Sequence, residues 1–122
     1  MSDQFQHIRV SFEDGYVLII LQDGHILDEM VIRTIGEELD KVVADAPSAH
    51  VVMDFSQVEH LSSSALGMLI TLNSRLQDRS GGLCLAHVAG GISEVFRITR
   101  LDRVLRIEPD LASAKANLLG QN

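Results

Sequence analysis

The amino-acid sequence predicts an α/β fold in which a mostly parallel sheet is covered by crossover helices. Three observations carry that expectation. Short β-rich apolar runs alternate with longer stretches of helical period, each helical stretch has an apolar stripe on one side, and the inner strands read as continuous apolar runs. The predicted order is ββαβαβαβα, with right-handed crossovers and one domain spanning residues 1–122. No internal repeat, low-complexity tract or Pro/Gly/Ser-rich linker divides it.

Phe5, His7, Arg9 and Ser11 alternate with Ile8, Val10 and Phe12, the period of a half-exposed strand. A turn at Glu13-Asp14-Gly15 leads into the apolar run Tyr16 to Leu21, so these two strands form an antiparallel hairpin, the second buried on both faces. From Asp28 to about Asp45, Val31, Ile35, Leu39 and Val42 recur at helical spacing. Pro47 stops that helix, and a buried strand follows over His50 to Phe55. The run Ser62-Ser63-Ser64 supplies side-chain acceptors for the free amides of a new helix, which continues to about Arg79 with Ala65, Leu69, Leu72 and Leu76 inward. Ser80-Gly81-Gly82 caps its end, and Leu83 to Val88 is the next strand. Ala89-Gly90-Gly91 opens a short helix with Ile92, Val95, Phe96 and Thr99 at helical spacing. A strand over Arg103 to Ile107 and a helix beginning at Pro109-Asp110, with Leu111, Ala114 and Leu118 inward, complete the order.

Composition narrows the function. Hydrophobic residues make up 46% and charged residues 22%, enough apolar material for a core. Aromatics are only 4%, so base-stacking platforms are scarce. A net charge of -7 repels phosphate backbones, which excludes nucleic acid and anionic membrane as expected partners. Met1-Ser2-Asp3-Gln4 carries no leader pattern, and no apolar run suffices for membrane insertion, so a cytoplasmic location is expected. Cys84, the single cysteine, lies in an apolar run and reads as a buried thiol.

No catalytic motif stands out. The Gly-x-Ser-x-Gly elbow, the Walker loop and the Gly-x-Gly-x-x-Gly fingerprint are missing, so neither an enzyme nor a nucleotide cofactor is expected. His7, His25, His50, His60 and His87 lack zinc-site spacing, and no metal is expected. A hydrolase relay of Asp54, His60 and Ser63 is the remaining enzymatic alternative.

Three hydroxyls at a strand-to-helix junction exceed what one cap requires. A phosphoryl group there adds roughly two negative charges where free amides and the helix dipole tolerate them. The docking face is expected to include this first turn, with Leu66 and Met68 either offering apolar surface beside the serines or serving as core residues of a broad helical stripe. Asp23 and Asp54 end strands at the sheet edge where partners of open α/β folds sit.

The segment from Val51-Val52-Met53-Asp54 through Leu61-Ser62-Ser63-Ser64-Ala65-Leu66-Gly67-Met68-Leu69 resembles the signature of the STAS domain, found in anti-sigma factor antagonists and sulfate transporter tails. Gly81-Gly82-Leu83-Cys84-Leu85 and Val95-Phe96-Arg97-Ile98-Thr99-Arg100-Leu101 extend the likeness. The resemblance implies a STAS-like (SpoIIaa-like) fold, with Ser63 on the phosphorylatable serine and Ser62 or Ser64 as the other acceptors. Ser62 stands where the family usually has Asp, and Ala65 where Gly is usual. The chain also lacks the family's Gly-x-Leu-Asp pattern near Asp23-Gly24.

What the resemblance implies is a non-enzymatic partner switch. The unmodified anti-sigma factor antagonist (anti-anti-sigma factor) binds an anti-sigma factor that is also a serine protein kinase, and so regulates transcription. Phosphorylation lowers that affinity, and a serine phosphatase of the PP2C type restores it. The expected partner-binding residues are Asp23, Asp54, Ser62, Ser63, Ser64, Leu66 and Met68. The alternative is a stressosome-like scaffold subunit, or an accessory protein of a lipid or anion transporter, in which the serines are unused.

Overall fold

A computed structural model describes residues 5–120. The leader reading at Met1-Ser2-Asp3-Gln4 lies outside the described residues. β1 (Ile8–Glu13) and β2 (Tyr16–Leu21) form the predicted antiparallel hairpin. Its turn centres on Gly15, whose φ of 89° lies in the left-handed region that glycine enters without steric cost. A two-residue strand β3 (His25–Ile26) leads to α1 (Glu29–Asp45). Asp28 caps that helix, its carboxylate accepting from the amides of Met30 and Val31. β4 (His50–Asp54) follows, then a second two-residue strand β5 (His60–Leu61), α2 (Ser63–Asp78), β6 (Gly82–Ala86), α3 (Gly90–Ile98), β7 (Arg106–Glu108) and α4 (Leu111–Leu119).

The main sheet has the order β1-β2-β4-β6-β7, antiparallel at β1/β2 and parallel elsewhere. Residues of β4 and β6 alternate between two apolar layers, as a period of two requires. Val51, Met53, Leu83 and Leu85 enter the larger core with α1 and α2, which also takes Ile35, Leu39, Leu69 and Leu76. Val52, Cys84 and Ala86 face α4, where they meet Ala114 and Leu118. Small side chains on the second face let α4 lie close to the sheet.

Four expectations change. β2 is fully buried on one face only, because Val17, Ile19 and Leu21 join the main core while Tyr16, Leu18 and Ile20 stay half-buried on the other face, the first two against the α4 cluster. β3 and β5 pair in parallel as a separate two-stranded sheet, which apolar period could not reveal in elements so short. The last strand begins at Arg106 rather than Arg103, because Leu101–Arg103 winds into a 3-10 turn after Arg100 takes a left-handed φ of 62°. Val95 is exposed on α3, where Ile92 and Phe96 alone reach the core.

α2 ends as its glycines suggested, with a shift in roles. Ser80 itself takes the left-handed conformation, at φ 64°, and the Gly81 amide donates to the Leu76 carbonyl at 2.8 Å. Gly81 is required for another reason: a Cβ there would lie 2.0 Å from the Ala49 carbonyl oxygen. The Gly81→Ala variant should therefore lose about 2–3 kcal/mol of stability, read from urea unfolding, because the obstacle is backbone and cannot rotate away.

Cys84 is fully buried, and desolvation pushes its thiol up to about 12, with the nearby Glu108 charge adding to the effect. Its pKa lies above that of an unfolded thiol, so its contribution favours the fold fully below the unfolded value and is lost as pH rises through about 12. A disulfide reagent at pH 8 should leave the native protein unlabelled and label one thiol rapidly in denaturant.

Candidate functional site

The site is built where parallel strands end and helices begin. β4 passes from the sheet through Phe55 and Val58, both buried, to β5. β5 is anchored by main-chain bonds: the amides of Glu59 and His60 donate to the Gly24 carbonyl at 2.8 and 3.1 Å, and the Ser62 amide donates to the Ile26 carbonyl at 3.0 Å. These bonds fix the first turn of α2 beside the β3–α1 connection.

The three serines take different positions. Ser62 is the N-cap, extended at φ -86° and ψ 169°, and its Oγ accepts from the Ala65 amide at 3.2 Å. Ser63 is the first helical residue and is exposed. Ser64 is exposed as well, and its Oγ donates to Glu29 Oε1 of α1 at 2.9 Å. The first turn of α2 contains no acidic residue.

Other expected docking residues are placed differently. Leu66 is only 8% exposed and belongs to the main core, so the apolar stripe of α2 is broader than the four residues assigned to it and Leu66 is not surface. Met68 is half-buried, with its sulfur against Gly36 in the cleft between α1 and α2. Asp54 is 7% exposed, and one carboxylate oxygen is engaged by the Ser56 amide at 2.9 Å and by His87 Nδ1 at 3.1 Å. It ties the ends of β4 and β6 together. Asp23 is partly exposed and meets His7 Nδ1 at 2.8 Å.

Four of the five histidines have side-chain partners in space though they are scattered in sequence, while the Nδ1 of His50 is buried without a hydrogen-bond partner. Besides His7 with Asp23 and His87 with Asp54, His25 and His60 lie side by side as cross-strand partners of β3 and β5. Their rings are 9° from parallel with centroids 4.8 Å apart and Nδ1 atoms 3.0 Å apart. Among the described residues, no group of three or more His, Cys, Asp or Glu side chains is arranged to hold a metal. The Asp54–His60–Ser63 relay is not assembled, because Asp54 engages His87 and His60 engages His25.

An apolar groove missed in the sequence lies beside the serine run. It encloses about 340 Å³ and is lined by Leu27, Glu59, His60, Leu61, Ile92 and Val95. Leu27 is 53% exposed and Val95 44%. Leu27 directly precedes the cap of α1 and Val95 sits on α3, so only the parallel topology brings them to one place. The detectable signal was Leu27 between the buried Ile26 and the capping Asp28, a large apolar residue with no role in either stripe.

Because Ser62 is the cap, Ser62→Ala should cost about 1 kcal/mol in thermal or urea unfolding, and Ser63→Ala a few tenths at most.

A family model described as "STAS domain" matches residues 7–114. Among solved structures, the chain is similar to an anti-sigma factor antagonist from Mycobacterium paratuberculosis, with 24% identity, 92% of each chain covered and a TM-score of 0.79. It is similar to an anti-sigma-factor antagonist (STAS) domain protein from Planctomyces limnophilus, with 23% identity, 88% of this chain and 92% of that chain covered, and a TM-score of 0.76. The phosphorylated form of the Bacillus cell fate determinant SpoIIAA matches with 14% identity over 90% of this chain and 98% of that chain, TM-score 0.67. At such identities the structural likeness shows the fold.

Proposed function

The chain belongs to the STAS domain family, and we propose that within it the protein is an anti-sigma factor antagonist switched by phosphorylation of Ser63. The observation that carries this reading is the division of labour in the serine run. Ser62 holds the helix cap and Ser64 is bonded to Glu29, while Ser63 is exposed at the first helical position.

A phosphate on Ser63 would sit at a helix N-terminus whose first amides precede any intrahelical acceptor. The fold can carry the charge there. The docking face is the serine turn together with the groove of Leu27, Leu61, Ile92 and Val95. A partner burying that apolar surface loses binding when a dianion must be desolvated at its rim.

The partner is a serine kinase that doubles as anti-sigma factor, and a PP2C-type phosphatase resets the switch. The likeness to antagonists, one of them in a phosphorylated form, supports this reading. The action is non-enzymatic and regulates transcription from the cytoplasm, the whole chain working as one STAS domain. No described helix is long and apolar enough to cross a membrane.

Intact-mass and fragment-mass spectrometry of the protein from its native cells tests the proposal. Phosphate on Ser63 in part of the population is expected. Its absence from all three serines across growth and stress conditions would overturn the switch in favour of an unswitched scaffold or transporter-accessory role. In binding assays with the anti-sigma kinase, Ser63→Asp should lose at least about tenfold in affinity, a change of roughly 1.4 kcal/mol. Its melting temperature should stay within a degree or two of the parent's, because an acidic residue suits the first turn of a helix.

A further inference from the structure

We propose that Glu29 is the specificity-determining residue that confines modification of the serine run to Ser63 by excluding Ser64; this rests on the phosphorylation reading above. Ser63 and Ser64 are adjacent, exposed and on the same first turn, so neither burial nor backbone position separates them as acceptors. Their surroundings do. Successive helical residues point about 100° apart, and the Ser64 direction leads to α1, where its hydroxyl donates to Glu29 Oε1 at 2.9 Å.

That contact opposes modification of Ser64 in two ways. The hydroxyl is engaged with a carboxylate, and its release forfeits a charge-assisted hydrogen bond. A phosphoryl group in its place would carry roughly two negative charges beside the Glu29 carboxylate, which repels it. Glu29 is held on site because it is the first residue of α1, directly after the Asp28 cap. The contact spans 35 positions of sequence, so the two helix starts are coupled through it.

A kinase-independent cycle and a modification map test the proposal together. Ser64→Glu places a carboxylate where the phosphate would go, and Glu29→Gln removes the opposing charge while keeping an acceptor oxygen. Introduced into the parent, Ser64→Glu should lower the melting temperature by about 2 °C more at low salt than when introduced into the Glu29→Gln variant. Ser63→Glu should show no such dependence. Equal shifts in both backgrounds would overturn the proposal. In native cells, phosphate is expected on Ser63 alone in the parent protein, and on both Ser63 and Ser64 in the Glu29→Gln variant. Phosphate confined to Ser63 in both proteins would overturn the role of Glu29 and leave the switch intact. No phosphate in the parent would overturn the switch itself, and this proposal with it.

Discussion

Parallel pairing of β4 with β2 on one side and β6 on the other leaves the strand neither a free edge nor a free face. Its residues are buried from Val51 to Asp54, and the chain can leave only at the C-terminal end. There Asp54 is pinned by His87 and the Ser56 amide, while Phe55 donates its amide to the Ala86 carbonyl at 2.9 Å. The path to α2 is therefore set by the sheet itself. Everything at the candidate site depends on that exit. The β3–β5 pairing, the Ser62 cap and the groove beneath α3 all follow from where β4 delivers the chain.

Parallel topology also gathers helix starts at one edge. α1 and α2 meet there through Glu29 and Ser64, and Gly91 in the first turn of α3 lines the same groove as Leu61. Each start contributes positive partial charge from unpaired amides. Asp28 and Glu29 answer part of that charge at α1. α2 is held to the sheet behind it by Asn73, a buried polar residue whose side chain bonds the Leu83 amide at 3.1 Å and the Val104 carbonyl at 3.2 Å.

The long elements were legible because each repeats a signal over many residues. The stripe Ala65, Leu69, Leu72 and Leu76 is buried as read, and Asp28 and Asp110 cap the helices they precede. What escaped the sequence was either too short or too distant. Two-residue strands carry no period, and the partners Asp54 and His87 are 33 positions apart. Leu66 stands three residues before the buried Leu69 and so shares its helical face, and of the two readings open for it the core takes it in. The serine run announced a helix start, yet its three hydroxyls could be told apart only by backbone angles and by a neighbour 35 residues away.

The neutral cap of α2 has an electrostatic meaning beyond holding the helix. At α1 the positive end of the dipole is answered by the helix's own carboxylates, Asp28 and Glu29, whereas the adjacent start of α2 brings only hydroxyls of its own and meets Glu29 through Ser64. Two neighbouring helix ends thus differ in the negative charge their own residues bring, which leaves α2 the greater remaining capacity. A carboxylate at Ser62 would strengthen the cap while filling that capacity permanently. With serine there, the charge is not built in, and the phosphorylation proposed for Ser63 would be what supplies it.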